Sequence, residues 1–365
     1  MKHCLNKETR MELEDIGYNS DLENYRKDKN LDAFQVGRVT SEHKERYIVK
    51  TADKEYDSEI IGNLRYTAND RTDFPAVGDW VAFSEFNEGN ALIHAVLPRK
   101  TVIERQAVGR KGEKQIIATN IDFAFIVQAV DRDFNINRIE RYLTICHSSN
   151  VIPIIILNKI DLINEAYLRD LVEEIQARIK NVTIFKLSSE TGEGLEKIKG
   201  SIKKGKSYCL LGSSGAGKST LSNLLTHKQA MKTSTISTST NKGRHTTSHR
   251  ELLILENGGV IIDNPGIREV GITDTSGGIE TTFDTINTIA EGCKFKNCTH
   301  TSEKACAVIS AVERGEIDAS LYDNYLRMER EKEHFEATVA EKRKKGKHLK
   351  KIIKDMKSHH SKYKY

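Results

Sequence analysis

A glycine-rich segment that ends in lysine and serine is the strongest chemical signal in this 365-residue sequence. Gly212-Ser213-Ser214-Gly215-Ala216-Gly217-Lys218-Ser219, which we name the phosphate loop, match the pattern G-x-x-x-x-G-K-S/T. Glycines allow a backbone to curl until successive N–H groups point at phosphate oxygens. We expect Lys218 to reach the β- and γ-phosphates of a nucleotide, Ser219 to bind Mg²⁺ through its hydroxyl, and Thr220 to lie in the same site.

A carboxylate at the end of an apolar run is the next candidate ligand for Mg²⁺. Asp263 follows Val260-Ile261-Ile262 and begins a D-x-x-G motif, Asp263-Asn264-Pro265-Gly266. A carboxylate in that position can hold Mg²⁺ directly or through water. Gly266 allows its backbone N–H to approach the γ-phosphate. The motif therefore predicts a sensor of the third phosphate.

The segment between these two motifs contains further candidates, in the sequence Gly243-Arg244-His245-Thr246-Thr247. A threonine here would complete the Mg²⁺ shell when a triphosphate is bound, and the pattern does not distinguish Thr246 from Thr247. Ras-type enzymes orient the attacking water with a glutamine after D-x-x-G, whereas this chain has Ile267. His245 is the candidate for orienting that water, with an exposed or partner-contacting histidine as the alternative. The expected catalytic residues are Lys218, His245 and Thr247.

A third motif, Asn158-Lys159-Ile160-Asp161, fits recognition of a guanine base, and we name it the base loop. The Asp161 carboxylate can accept hydrogen bonds from guanine N1–H and N2–H₂, a donor pair that adenine lacks. Lys159 is expected to pack its stem along the base plane, and Asn158 to tie the base loop to the phosphate loop. Ser188 and Ser189 follow the next predicted strand, where a backbone N–H could reach guanine O6.

The order of the three motifs is unusual. The base loop precedes the phosphate loop, and D-x-x-G comes last, whereas in an ordinary GTPase the N-K-x-D element follows the other two. This order predicts a circularly permuted GTPase domain. One rival function is an ATP-using P-loop kinase or ATPase, against which N-K-x-D argues. The other is a non-catalytic RNA-binding module whose nucleotide site is only a switch.

Three cysteines and a histidine form a separate cluster near the C-terminus. Their spacing is Cys293-x4-Cys298-x-His300-x5-Cys306, and we name them the Cys/His cluster. Three thiolates and an imidazole suit a closed tetrahedral Zn²⁺ site, with one ion per chain, and four protein ligands leave no open position for catalysis. The alternative is a coincidence of cysteines in a helical region.

Apolar runs and helical stripes alternate around the nucleotide motifs. Runs typical of strands buried on both faces lie at 123–130, 151–157, 182–187 and 207–211. Stripes with helical spacing lie at 139–146 and 168–179, and residues 251–263 predict a hairpin with a turn at Asn257-Gly258. The alternation predicts a mostly parallel sheet covered by helices.

Short β-like runs fill residues 34–100, before this alternation. They include Val36-Gly37-Arg38-Val39, Tyr47-Ile48-Val49, Trp80-Val81-Ala82-Phe83 and Ala91-Leu92-Ile93. A five-stranded OB-type barrel fits their number and spacing, and an SH3-like barrel would give a similar pattern. We therefore predict an OB-type β-barrel with a polar N-terminal extension at 1–100, a permuted α/β P-loop GTPase at 101–285, and a mostly helical zinc-binding domain with a basic tail at 286–365.

The charge of the chain is unevenly distributed. Its net charge is +5, yet residues 341–365, the basic tail, contain eleven Lys/Arg and two acidic residues and are net +9. A basic tail on an acidic body indicates a polyanionic partner such as nucleic acid, and a solvated helix end is the alternative. The N-terminus has no apolar stretch behind it, and no aliphatic run is long enough to span a bilayer. With the Cys/His cluster, this predicts a reducing, cytoplasmic setting and no membrane.

Taken together, these features resemble the ribosome small-subunit-dependent GTPase A family. The resemblance depends on the permuted motif order, the barrel before it, the Cys/His cluster after it, residues 243–247, and the linker Leu97-Pro98-Arg99-Lys100-Thr101. It covers nearly the whole chain and departs at Asn264, where the family has threonine. It implies a GTPase that assists late assembly of the 30S subunit and is stimulated by the ribosome. The implied ligands and partners are GTP and GDP, Mg²⁺, Zn²⁺, the 30S subunit and its 16S rRNA, with the protein a monomer.

Overall fold

The computed structural model of the protein describes residues 11–43, 45–68, 70–107, 113–131, 133–226, 251–263 and 277–362. Two compact units divide the chain, Met1–Ile103 with Ile116–Glu269, and Glu104–Gln115 with Val270–Tyr365. Within the described ranges, none of the helices combines the length and apolarity needed to cross a membrane.

Within the described ranges the strands form two sheets, one of eleven strands and one of two. In chain order they are β1 (Gln35–His43), β2 (Arg46–Lys50), β3 (Glu55–Ile60), β4 (Trp80–Asn87), β5 (Asn90–Val96), β6 (Val102–Gln106), β7 (Lys114–Thr119), β8 (Phe123–Ala129), β9 (Ile152–Asn158), β10 (Thr183–Leu187), β11 (Ser207–Leu211), β12 (Glu251–Ile254) and β13 (Val260–Asp263). The small sheet is the hairpin of β6 and β7, which the sequence pattern did not predict.

The helices connect these strands and form most of the C-terminal part. They are α1 (Ser20–Asp28), α2 (Gly62–Thr67), α3 (Ile136–Ser148), α4 (Glu165–Arg178), α5 (Leu195–Ser201), α6 (Lys218–Thr226), α7 (Gly278–Thr282), α8 (Asp284–Ala290), α9 (Ala307–Glu313) and α10 (Ala319–Lys362). Short 3₁₀ turns occur at Leu13–Ile16, Arg71–Asp73 and Ile160–Leu162.

Five strands close into the predicted N-terminal barrel. The strand order is β1-β2-β3-β5-β4, and β4 pairs back onto β1. Only β3 and β5 run parallel among these neighbours, and α2 lies between β3 and β4 in the chain. This closed arrangement confirms the OB-type barrel. Its core is apolar and includes Val39, Tyr47, Val49, Val81 and Phe83.

The nucleotide motifs lie on a second group of strands, in the order β10-β9-β8-β11-β13-β12. The first five run parallel, and β12 is antiparallel to β13, so the predicted hairpin is confirmed. Every residue of β11 and β13 is buried, as expected for strands covered on both faces. Helices α3, α5 and α6 pack against these strands.

One antiparallel pairing joins the barrel to the GTPase strands. Glu251 of β12 lies opposite Ser41 of β1, and on its other side it lies opposite Asp263 of β13. A single line of paired residues therefore leads from the Asp263 backbone across β12 into the barrel.

The C-terminal helices have a separate core. Helices α7 to α10 bury an apolar cluster that includes Ile279, Phe283, Ile286, Val308 and Met328. The Cys/His cluster contributes to the same core, because Cys306 is buried there and Cys293 and Cys298 pack against it. In the chain the cluster lies between α8 and α9, and both helices are too short to be stable without packing.

Candidate functional site

The nucleotide motifs meet at one edge of the parallel strands. Gly212 follows β11, Asn158 ends β9, Ser188 follows β10 and Asp263 ends β13. These strands are neighbours or near neighbours that run in the same direction, so their carboxyl ends form a common edge. Open α/β sheets bind ligands at this edge.

Two glycines of the phosphate loop occupy positions where a side chain would be strained and would displace a neighbouring group. Gly212 has φ 146°, and a Cβ there would lie 2.2 Å from the carbonyl oxygen of Val127. Gly217 has φ 98°, and a Cβ there would lie 2.1 Å from Nδ2 of Asn158. The glycines of the motif therefore allow the loop to approach β8 and the base loop, besides curling around phosphates.

Lys218 folds over the phosphate loop. Its Nζ donates hydrogen bonds of 2.7 Å to the carbonyl oxygens of Gly212 and Ser213, and the residue is 8% exposed. Burial lowers the pKa of Lys218 to about 8, and the negative charge of Asp263 opposes part of that effect. Both partners are neutral carbonyls, so a phosphate would be the stronger partner for this ammonium.

The candidate Mg²⁺ ligands lie beside this lysine. Asp263 is 2% exposed at the end of β13, and Ser219 lies in the first turn of α6, a helix that packs against β13. A buried carboxylate is costly unless a cation or hydrogen bonds compensate its charge. The pair of a carboxylate and a hydroxyl beside a phosphate loop fits Mg²⁺, which prefers oxygen ligands. Thr220 is in the same helical turn.

Asn158 connects three loops of the site. Its Nδ2 donates to the Ala216 carbonyl oxygen at 2.9 Å. Its Oδ1 accepts from the backbone N–H of Ser189 at 3.2 Å and from the Ser189 hydroxyl at 2.9 Å. The side chain is 1% exposed. This confirms the predicted tie to the phosphate loop and adds a tie to the loop after β10.

Asp161 lies at the surface with one carboxylate oxygen already held. The Ser188 hydroxyl donates to its Oδ1 at 2.5 Å, and Ser188 Oγ accepts the backbone N–H of Thr191 at 3.0 Å. The sequence indicated only a backbone contact from Ser188 and Ser189 to the base. The structure shows that the Ser188 side chain orients the carboxylate, which faces solvent where a base could reach it.

Lys159 has a partner that the motifs do not include. Its Nζ lies 2.8 Å from Oδ2 of Asp131, which follows β8. Sequence reasoning missed Asp131, although it stands directly after an apolar strand at the edge where the motifs converge. His245, Thr246, Thr247 and Gly266 lie outside the described residues, so their roles stay predictions.

The Cys/His cluster is confirmed as a spatial group. Its four ligand atoms lie within 4.8 Å of one another. His300 Nδ1 is 3.4 Å from Cys306 Sγ and 3.6 Å from Cys293 Sγ, and the two sulfurs are 3.8 Å apart. Zn–S bonds of about 2.3 Å in a tetrahedron place sulfurs about 3.8 Å apart. Burial also lowers the pKa of His300, which favours the neutral imidazole that binds metal. The residues therefore fit zinc.

Groups around the cluster hold its loop in shape. The carboxylate of Glu303 accepts backbone N–H groups from Thr299, Thr301 and Ser302 at 2.7–3.1 Å. The Tyr322 hydroxyl donates to the His300 carbonyl oxygen at 2.5 Å. Sequence reasoning missed both groups, because neither is a ligand and only the folded loop brings them to the cluster.

The chain matches known proteins along most of its length. A family model described as RsgA GTPase matches residues 96–273. A model of ABC transporters matches residues 195–362, a range that contains the phosphate loop but not the base loop. Both classes share the phosphate loop, so the second match adds only a P-loop nucleotide site.

Two relatives extend the match to nearly the whole chain. The small ribosomal subunit biogenesis GTPase RsgA 1 of Bacteroides thetaiotaomicron is 38% identical over 88% of this chain and 90% of its own. RsgA 2 of Lactiplantibacillus plantarum is 41% identical over 81% of this chain and 83% of its own.

Solved structures have the same fold. The crystal structure of YjeQ from Thermotoga maritima aligns with a TM-score of 0.58 at 27% identity, over 80% of this chain and 96% of that one. YloQ, described as a circularly permuted GTPase, aligns with a TM-score of 0.58 at 23% identity over 80% of this chain and 93% of that one, and supports the fold alone. With these relatives and the permuted site at the sheet edge, the chain belongs to the RsgA family of circularly permuted GTPases.

Proposed function

We propose that this protein is a GTPase that binds the small (30S) ribosomal subunit and assists its late assembly, hydrolysing GTP to GDP and phosphate with stimulation by the ribosome. The observation that carries the proposal is the double hydrogen-bonding role of Asn158, which joins the guanine-reading loop to the phosphate loop across the permuted chain. Family membership supports the ribosomal part, because the named relatives are small-subunit biogenesis GTPases.

Each part of the nucleotide has a proposed set of residues. Asp161 reads the guanine edge, with Lys159 along the base and Ser188 and Ser189 near its O6. The phosphate loop wraps the phosphates, and Lys218 exchanges its two carbonyl partners for phosphate oxygens. Apart from this exchange by Lys218, these contacts use groups that already lie at one edge of the sheet, so binding needs little rearrangement of them.

Hydrolysis is proposed to depend on charge neutralisation and on one oriented water. Ser219, Asp263 and either Thr246 or Thr247 would hold Mg²⁺, which when bound neutralises charge on the β- and γ-phosphates. Gly266 is proposed to contact the γ-phosphate through its N–H. His245 is proposed to orient the water, since Ile267 has no group that could do so. We therefore expect slow hydrolysis by the free protein, with a partner completing the orientation of the water.

Outside the nucleotide site, we propose that the Cys/His cluster holds one structural Zn²⁺ per chain. We propose 16S rRNA as the contact of the barrel, the zinc-binding domain and the basic tail. The domain boundaries remain proposed at 1–100, 101–285 and 286–365, the protein is proposed to act as a monomer, and the cytoplasm is its proposed location.

The proposal is tested by phosphate release from GTP with and without purified 30S subunits. Slow turnover alone and faster turnover with 30S are expected, since a positioned group that accepts the proton of the attacking water contributes roughly 10²–10⁴-fold. Lys218→Ala should abolish both rates, and His245→Ala should reduce the stimulated rate more than GTP binding. Equal turnover of ATP and GTP, or no effect of 30S, would contradict the proposal.

The zinc proposal has its own measurement. Metal analysis of protein purified without chelator should give one Zn²⁺ per chain, and Cys298→Ala should lose it. Structural zinc contributes roughly 10–16 kcal/mol in small finger peptides, so this variant should also become sensitive to proteolysis within residues 286–365. A full metal content in Cys298→Ala would exclude the cluster as the site.

A further inference from the structure

A carboxylate outside all the sequence motifs lies against the base loop. Asp131 Oδ2 accepts a hydrogen bond from Lys159 Nζ at 2.8 Å, and Asp131 Oδ1 accepts the backbone N–H of Asp133 at 3.1 Å. We propose that Asp131 is a positioning residue that fixes Lys159 in the conformation needed to bind a guanine nucleotide. The inference rests on the proposed nucleotide function and adds a residue to it.

The sheet places Asp131 beside the base loop with little freedom. Strands β8 and β9 are parallel neighbours, and Ala129 lies in register with Asn158. The backbone N–H of Val130 donates to the Asn158 carbonyl oxygen at 3.0 Å, which extends the pairing by one residue. Asp131 therefore follows the last paired position, directly beside Lys159.

The carboxylate is also oriented before it meets the lysine. The hydrogen bond from the Asp133 backbone N–H to Oδ1 closes a short side-chain turn, a conformation that aspartate favours. Oδ2 is then the oxygen that faces Lys159. One carboxylate thus connects the turn after β8 to the base loop through two different oxygens.

Lys159 is a residue that benefits from being fixed. Its backbone has φ 66°, in the left-handed region that lysine seldom adopts, and its side chain is 27% exposed. A lysine stem has several rotatable bonds, and ordering it on binding reduces affinity. An ion pair that orders the stem before the nucleotide arrives removes part of that cost.

The alternative is that Asp131 and Lys159 form an ordinary surface ion pair, which contributes little to the stability of the protein. The two differ in what they predict for binding. A surface pair would leave nucleotide affinity unchanged, whereas a positioning role acts on affinity through Lys159 alone. The positioning role of Asp131 leaves the choice of base, which Asp161 makes, unchanged. It also leaves the rate of the chemical step at the phosphates unchanged.

The test uses isosteric loss of charge. Asp131→Asn keeps the shape and the Oδ1 acceptor, and Asp133→Asn is the matched control, because it removes an exposed charge two residues away and leaves its own backbone N–H in place. Dissociation constants for GDP and GTP are measured with a fluorescent guanine nucleotide. KM and kcat are measured for GTP.

Asp131→Asn should weaken GDP and GTP alike by about threefold to fivefold and raise KM by the same factor, while kcat and the preference for GTP over XTP stay as in the parent protein. Asp133→Asn should bind like the parent. Asp131→Glu should recover part of the loss, because it restores the charge. Salt screens the ion pair between Asp131 and Lys159. Raising the salt concentration should therefore reduce the difference in nucleotide affinity between the parent and Asp131→Asn.

A double variant isolates the pair. In a Lys159→Met background, adding Asp131→Asn should change GDP affinity by less than twofold, because the partner is already absent. Parent-like affinity of Asp131→Asn, or an undiminished effect in the Lys159→Met background, would overturn the inference. A parent protein that binds ADP as tightly as GDP would instead contradict the proposed guanine-nucleotide function, so the two failures are distinguishable.

Discussion

At the scale of single residues, the site depends on hydrogen bonds that fix its functional side chains and its loops. The Ser188 hydroxyl donates to Asp161, Asn158 joins the base loop to two other loops, and carbonyl oxygens of the phosphate loop accept from Lys218. The sequence predicted the link from Asn158 to the phosphate loop, because that role follows from a motif, whereas the contact of Lys218 with phosphates stays a prediction. It did not predict the side-chain role of Ser188, because that contact depends on the distance between β9 and β10.

Base choice should depend on Asp161. In Asp161→Asn an amide replaces one acceptor with a donor, so the pair with guanine N1–H and N2–H₂ is lost and xanthine becomes the better match. The expected cost for GDP is on the order of 2–5 kcal/mol. Competition of GDP and XDP against a fluorescent nucleotide measures it.

Ser188→Ala is the matched control for this change. It removes the hydroxyl that orients Asp161 but leaves the carboxylate, so GDP should bind more weakly without any gain for XDP. An Asp161→Asn protein that keeps its preference for GDP would show that the base is read elsewhere.

The pKa of Lys218 predicts how nucleotide affinity depends on pH. In the free protein burial holds this pKa at about 8, so the amine loses its proton above that pH. Phosphate oxygens bind the charged ammonium of Lys218 more strongly than the neutral amine. GTP binding above pH 8 must therefore be accompanied by uptake of a proton. GTP affinity should fall as the pH rises through 8, by up to about tenfold per pH unit.

Lys218→Arg separates this effect from titration of guanine itself. A guanidinium stays protonated throughout the range, so the variant should show only the pH dependence of the base. Fluorescence titrations from neutral pH to about pH 9 compare the two proteins. Equal pH dependence in both would mean that Lys218 is charged in the free protein.

At the scale of elements, strands buried on both faces were predictable and strands with charged faces were not. The apolar runs of β8, β9 and β11 appear as strands close to their predicted limits. β3, with the sequence EYDSEI, was missed because alternate residues are acidic and exposed. The β6–β7 hairpin was missed because its apolar runs, Val102-Ile103 and Ile116-Ile117, are short and flanked by charged and polar residues.

The loop of the Cys/His cluster contains a conformation that favours glycine. Ala305 has φ 61° and directly precedes the ligand Cys306. The left-handed backbone conformation costs an L-residue about 1–2 kcal/mol of folding free energy. Glycine removes most of that cost, although it also adds flexibility to the unfolded chain. Ala305→Gly should therefore tighten Zn²⁺ binding by about twofold to fivefold, as measured by competition with a chromophoric chelator.

The same substitution two residues later provides the control. Ala307 begins α9 in a right-handed conformation, where glycine has no advantage and weakens the helix. Ala307→Gly should not tighten zinc binding. Weaker binding by Ala305→Gly than by the native protein would mean that the Ala305 side chain supports the loop.

At the scale of the whole molecule, the barrel and the GTPase strands share buried connections as well as a sheet. Arg38 of β1 is 1% exposed, and its guanidinium donates to the carbonyl oxygens of Ile16, Gly78 and Asn120. It thus joins the N-terminal segment, the barrel and the residues before β8. The sequence did not predict this connection, because a buried arginine with backbone partners has no sequence pattern.

The basic tail provides the prediction that concerns the whole molecule. Among the side chains that the structure describes, the last buried ones on helix α10 are Met328, in the C-terminal core, and Phe335, and the helix continues to Lys362. Removing residues 341–365 should therefore spare the core and GTP affinity while removing a net charge of +9. Each phosphate contact contributes about 0.7–0.9 to the slope of log affinity against log salt. The truncated protein should bind 30S subunits more weakly and with a flatter slope.

A charge variant distinguishes electrostatics from length in this experiment. Changing Lys344, Lys345 and Lys347 to glutamine keeps a helix-forming tail and removes three charges, so it should flatten the slope by an intermediate amount. Sedimentation with 30S subunits at several salt concentrations measures all three proteins. If the truncated protein binds 30S with the affinity and slope of the full chain, the tail is a solvated helix, and contacts with rRNA must come from the barrel and the zinc-binding domain.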